Sequence, residues 1–106
     1  MISKTPSPPY YAVIFTSVRT PEDKGYAEMA ERMEQLARRQ KGFLGIESAR
    51  NTIGLTVSYW QNLSDILAWK EDSEHQEAQR RGKSDWYEQY TIRICRVERE
   101  YGMNIW

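Results

Sequence analysis

Tyr10–Val18 is the stretch that most restricts the fold. It is dense in β-branched and aromatic residues and apolar on both faces, the pattern of a strand in the middle of a sheet. Such a strand needs cover above and below, yet a chain of 106 residues holds only one hydrophobic core. The rest of the chain therefore has to wrap a single sheet. Met1–Pro9, with Pro6, Pro8 and Pro9, reads as an extended tail. Residues 10–101 form the domain, and residues 102–106 are a short second tail that carries an exposed Trp106.

Hydrophobic periodicity places the other elements. Thr20–Pro21–Glu22–Asp23 reads as a helix start, with Thr20 as cap and Pro21 in the first turn. Tyr26, Met29, Ala30, Met33, Leu36 and Ala37 then form one helical stripe, and Gly42 is a left-handed terminator. Phe43–Arg50 and Ile53–Trp60 are strands joined through Asn51–Thr52. In the second of these, Ile53, Leu55, Val57 and Tyr59 share one face and Gly54, Thr56, Ser58 and Trp60 the other, so small residues leave room there. Ser64 is the expected cap of a helix running to Lys70. Ser73–Glu74–His75–Gln76 is a capping-box pattern that restarts a helix up to about Arg81, ended by Gly82. Ser84–Tyr87 reads as one further turn and Tyr90–Glu100 as the last strand.

This order is β-α-β-β-α-β, the split-βαβ pattern of an α+β, ferredoxin-like fold: a four-stranded antiparallel sheet with helices on one face. The other face stays bare, and apolar residues on both sides of the strands call for a partner there. With no second domain in the chain, the simplest partner is another copy, giving a homodimer.

Composition narrows the function. Fifteen Lys and Arg balance fifteen Asp and Glu, so there is no net field for nucleic acid or an acidic membrane. Cys95 is the only cysteine and His75 the only histidine, which argues against a disulfide framework and a transition-metal site; no metal is expected. No apolar run approaches membrane-spanning length, and Met1–Ser7 lacks the apolar stretch of a signal peptide, so the expected compartment is the cytoplasm. Four Trp and seven Tyr are more aromatic surface than a core this small requires, and point to a pocket or a subunit interface.

His75 is the one side chain whose ordinary pKa lies near neutrality, which makes it the candidate for proton transfer; the other reading is a surface or helix-start histidine bonded to water. Trp60, Trp69, Trp86 and Tyr87 suit the walls of a flat apolar pocket for an aromatic ligand, or else simply fill the seam between helices and sheet. Arg93, Arg96 and Arg99, interleaved with Glu98 and Glu100, read as a solvated edge or interface ion pairs.

Several segments together resemble the antibiotic biosynthesis monooxygenase family of dimeric α/β-barrel proteins, and more closely its little-characterised bacterial branch. They are Gln40–Lys41–Gly42–Phe43–Leu44–Gly45–Ile46–Glu47, Val57–Ser58–Tyr59–Trp60, Trp69–Lys70 with Glu74–His75, and Gly82–Lys83–Ser84–Asp85–Trp86–Tyr87 leading into Arg96–Val97–Glu98–Arg99. The resemblance runs from about Tyr10 to Tyr101. It implies a homodimer whose two sheets face each other as a barrel, each subunit keeping a pocket between sheet and helices. It also implies oxidoreductase chemistry: oxygenation of a small electron-rich aromatic, quinol- or anthrone-like, with no metal, flavin or other cofactor. On that scheme His75 maps as the base, Trp69 as pocket wall or hydrogen-bond donor, and Phe15, Trp60, Trp86 and Tyr87 as substrate-binding walls. Two alternatives stay open, a non-catalytic small-molecule-binding dimer and a haem-binding or haem-degrading protein. Haem-degrading relatives carry an axial histidine where this chain has Gln79, and a first-strand asparagine where it has Phe15, Thr16 and Ser17.

Overall fold

The structure, a computed structural model, describes residues 2–104. The reading of Trp106 as exposed lies outside the described residues. Strand β1 (Tyr10–Arg19) is followed by helix α1 (Tyr26–Ala37), the hairpin β2 (Phe43–Arg50) and β3 (Gly54–Trp60), helices α2 (Leu63–Glu71) and α3 (Ser73–Arg81), a π-helical turn (Gly82–Trp86) and strand β4 (Tyr87–Val97). The sheet order is β2-β3-β1-β4, with every neighbouring pair antiparallel. This is the ferredoxin-like α+β fold read from the sequence, with the doubly apolar β1 in an inner position. No helix among the described residues is long and apolar enough to cross a membrane.

The register decides which side chains meet. Tyr11, Val13, Phe15 and Ser17 of β1 lie opposite Trp60, Ser58, Thr56 and Gly54 of β3 and opposite Arg96, Ile94, Ile92 and Tyr90 of β4. Residues directly opposite share a face, and Trp60 stacks on Trp69 of α2, so this is the helix-facing surface. The small set Gly54, Thr56 and Ser58 thus faces the helices. The other surface carries Ala12, Ile14, Leu55, Val57 and Cys95, with Leu55 42% exposed. The N-terminal tail crosses one end of it: Ser3 N donates to Glu47 at 2.8 Å, and the hydroxyls of Thr5 and Tyr10 donate to the Glu100 carboxylate at 2.7 and 2.6 Å.

Five local expectations are corrected. Helix α1 starts at Tyr26, not in the Pro21 turn, because the Thr20 hydroxyl is engaged elsewhere: it donates to the Asp85 carbonyl at 2.6 Å and accepts from Glu22 N. Asn62, not Ser64, is the residue before α2, and it is extended, with its amide donating to Asp65. Asp72, not Ser73, caps α3, its carboxylate accepting from both Glu74 N and His75 N. Gly82 does not end that helix. It keeps a right-handed conformation, and a Cβ there would sit 3.0 Å from the Tyr87 ring, so the glycine serves close approach. Strand β4 spans Tyr87–Val97 rather than Tyr90–Glu100, because its pairing with β1 runs from Arg19 opposite Tyr87, past a bulge, to Tyr10 opposite Val97. Gly42 does take the expected left-handed conformation, with φ 82°, and the Asp65 carboxylate fills the place a side chain there would need.

Candidate functional site

Two aromatic clusters stand on the helix-facing surface. In the first, Phe43, Trp60, Trp69 and His75 follow one another. Phe43 meets Trp60 edge-on at 5.4 Å, Trp60 and Trp69 stack at 6.3 Å, and Trp69 and His75 stack at 4.3 Å with an interplanar angle of 21°. Trp60 is fully buried, and its indole N–H donates to Ser58 Oγ at 2.9 Å. In the second cluster, Phe15 contacts Tyr87 at 5.3 Å and Tyr90 at 5.4 Å, while Tyr26 of α1 meets Trp86 at 5.7 Å and Tyr87 at 5.9 Å. The sequence-derived residues thus separate into His75, Trp69 and Trp60 on one side and Phe15, Tyr87 and Trp86 on the other. Phe15 faces Thr56, four residues from Trp60 along β3, which sets the clusters about 13 Å apart at strand rise. Between them the sheet presents Val13, Thr56 and Ser58.

His75 owes its orientation to the corner between α2 and α3. The Trp69 carbonyl near the end of α2 lies 2.9 Å from His75 Nδ1, and Asp72 fixes the corner by donating its own N–H to that same carbonyl and capping α3. A carbonyl oxygen only accepts, so Nδ1 carries the proton and Nε2 is the lone-pair nitrogen of the neutral ring. Burial lowers the imidazole pKa below its usual 6.5, opposed in part by the Trp69 carbonyl and the Asp72 charge. The ring is therefore neutral at pH 7, with Nε2 competent as a proton acceptor.

This shift has a consequence for stability. Between the lowered folded-state pKa and the ordinary unfolded value, the unfolded chain holds the extra proton. Stability therefore falls as pH drops below about 6.5 and is independent of this group above it. Urea unfolding of wild type and His75→Gln at pH 5.0 and 7.5 checks this: the stability difference between the two proteins changes with pH in favour of the variant at pH 5.0. A constant difference contradicts the assignment.

Tyr87 is also perturbed. Burial drives its phenol pKa well above the ordinary value, the hydroxyl contact with Tyr26 at 3.4 Å adds to this, and Arg50 and Arg19 oppose it. The Trp86 indole N–H is buried without an acceptor, the only such side-chain nitrogen or oxygen among the described residues. Those residues hold no group of three or more His, Cys, Asp or Glu side chains placed to bind a metal ion. Two cavities are lined by residues other than His75. One of about 400 Å³ runs between α1 and α3 beside Met29, Arg32 and Arg81; another of about 360 Å³ lies under the N-terminal tail beside Tyr10, Glu47 and Tyr59.

The family model described as antibiotic biosynthesis monooxygenase matches residues 9–81. The chain belongs to that family. This family member is 52% identical over 101 residues to the uncharacterized protein YqjZ of Bacillus subtilis (strain 168), covering 93% of this chain and 89% of that one. Solved structures share the fold at low identity. Rv0793 from Mycobacterium tuberculosis superposes with a TM-score of 0.77 at 8% identity, over 88% of this chain and 99% of its own. A provisionally named antibiotic biosynthesis monooxygenase from Nitrosomonas europaea gives 0.70 at 14% identity, over 89% and 94%. The matched region holds Phe15, Tyr26, Trp60, Trp69 and His75 and ends before Trp86 and Tyr87.

The sequence reading missed Tyr26, Arg19, Arg50 and Asp72. Tyr26 looked like one more residue of the apolar stripe, and the two arginines end strands, where a charged residue is ordinary. The available signal for Arg50 was its hairpin position opposite Gly54, which has no side chain to compete with it.

Proposed function

We propose that this antibiotic biosynthesis monooxygenase family member is a cofactor-independent monooxygenase of a small electron-rich aromatic, quinol- or anthrone-like, working as a cytoplasmic homodimer. The observation that carries the reading is the tautomer of His75. Its Nδ1–H is tied to a backbone carbonyl and its Nε2 is left with a free lone pair, beside an indole stack that gives an aromatic substrate a flat neighbour.

In the proposed reaction His75 Nε2 takes the acidic proton of the substrate. The resulting carbanion or phenolate passes one electron to O₂, and the substrate radical and superoxide combine into a peroxide. Loss of water from that peroxide leaves a carbonyl, so a CH₂ group and O₂ become C=O and H₂O. Trp60 and Trp69 exclude bulk water from the charged intermediates beside His75. Homodimerisation is supported by exposed apolar residues on the sheet, Leu55 on the surface away from the helices and Ile92 and Ile94 on the edge strand β4.

A second reading, a non-catalytic small-molecule-binding dimer, is favoured by the absence of His75 from the lining of both cavities. Oxygen uptake separates the two. Purified protein is mixed with a panel of quinols and anthrones, without added cofactor, while thermal shift is followed in parallel. The monooxygenase reading expects at least one compound to raise Tm and to drive oxygen consumption. Compounds that raise Tm with no uptake anywhere in the panel leave the binding reading. Ligand at about 100 times its Kd adds roughly 2.7 kcal/mol, so binding is visible either way.

A further inference from the structure

We propose that the Arg50 end of the helix-facing surface is a binding site for the anionic group of an aromatic ligand, a carboxylate or ionised hydroxyl, with Arg50 and Arg19 as its charged anchors. The inference deepens the reading above by naming the ligand's chemical class, and rests on it only in taking the second ring cluster as the ligand's seat.

Arg50, Gly54, Ser17 and Tyr90 form one rung across all four strands, on the surface that faces the helices. Gly54 leaves that rung bare, and the Arg50 guanidinium occupies the room a side chain there would take. Its Nη2 donates to Ser17 Oγ, whose residue is only 1% exposed, so the fork is laid on the sheet although Arg50 itself stays open to solvent. Arg19 approaches from the next rung of β1. It lies opposite Tyr87, stacks its guanidinium 3.4 Å from the centre of the Tyr26 ring, and donates from Nε to the Trp86 carbonyl at 3.1 Å. Both charges act on the Tyr87 phenol, countering in part the rise in its pKa that burial causes.

Arg19 and Arg50, like Arg39, Arg81, Arg93 and Arg99, have no carboxylate partner within 4 Å among the described residues, whereas Arg32, Arg38, Arg80 and Arg96 do. What sets Arg19 and Arg50 apart is their place beside the Tyr87 and Tyr26 rings. Two guanidiniums are thus held by neutral acceptors at the edge of a half-buried aromatic patch, with no counter-charge. Like charges fixed near a low-dielectric surface repel, and an anion placed there relieves that repulsion. A guanidinium fork is also the group best matched to a carboxylate in two-point geometry. The rings of Phe15, Tyr87 and Tyr90 supply the apolar side, so an aromatic body with an acidic oxygen fits both halves.

Benzoate and its neutral isostere benzamide are the probes, titrated at constant ionic strength and read by calorimetry and thermal shift. Wild type is expected to bind benzoate about tenfold more tightly than benzamide, the margin of one charge-assisted hydrogen bond. Arg50→Gln brings the two affinities together, and Arg50→Lys, which keeps the charge but not the fork, retains an intermediate preference. Urea midpoints of both variants establish that they fold. Equal affinity of wild type for the two probes, no binding of either at millimolar concentration, or an unchanged preference in a folded Arg50→Gln variant overturns the proposal. A benzoate preference without oxygen uptake from any quinol or anthrone leaves this site standing and removes the monooxygenase reading. Uptake without an anion preference does the reverse.

Discussion

The His75→Ala protein consumes oxygen about 10²–10⁴-fold more slowly than wild type with any substrate the wild type turns over, the range for losing a positioned general base. The loss falls on the proton-transfer step. Trp69 and Trp60 keep their mutual stacking, so the variant still shows the ligand-dependent rise in Tm. His75→Gln, which retains much of the side-chain volume without the basic nitrogen, behaves like the alanine variant. In wild type the rate declines on the acid side with an apparent pKa below 6.5, because burial depresses this imidazole and only its neutral form accepts a proton. Oxygen-electrode rates across pH for the three proteins provide the measurement. Wild-type-like turnover in His75→Ala removes this residue from the reaction and leaves the family fold without its proposed base.

Trp60→Ala lowers folding stability by about 3–5 kcal/mol, the cost of emptying a buried aromatic site. Trp60 has no solvent exposure, it is packed between Phe43 and Trp69, and its N–H bond to Ser58 is lost in the same stroke. Domains of this size have about 5–15 kcal/mol in total. A chain of about 100 residues shifts by about 4–8 °C per kcal/mol, so the variant melts tens of degrees lower. Trp60→Phe keeps a ring in the stack and loses less. The urea midpoint falls with an unchanged slope if the change is in stability alone. A loss below about 1 kcal/mol would show that the helices close over the vacated space, and that the stack is a wall able to rearrange.

Much of this architecture was legible because hydrophobic period and sheet pairing are local signals. The inner position of β1 followed from its two apolar faces, and the sharing of one face by Gly54, Thr56, Ser58 and Trp60 from strict alternation along β3; that this face meets the helices took the stacking of Trp60 on Trp69. Helix boundaries were less legible, since what sets them is tertiary. Thr20 looks like a cap until its hydroxyl is seen engaged by the Asp85 carbonyl, far away in sequence. At the candidate site, the neighbourhood of Trp69 and His75 was readable from their separation around a helix restart. The tautomer was not, because it depends on which backbone carbonyl the corner turns inward. The division of the aromatic residues into two clusters was hidden for a similar reason: it needs the register that sets Phe15 four positions along β3 from Trp60.

The long ladder between β1 and β4 joins the first strand of the domain to its last, and it is this ladder that brings Arg19 opposite Tyr87 and Phe15 against Tyr87 and Tyr90. Closing so large a loop carries the greatest chain-entropy penalty of any pairing in the sheet. The hairpin of β2 and β3 has no such barrier and can form early. The Trp60–Trp69–His75 stack uses no residue of β4, whereas the second cluster cannot form without it. The half of the candidate site that holds the arginines therefore depends on the β1–β4 ladder, while the half that holds His75 is encoded before β4 begins.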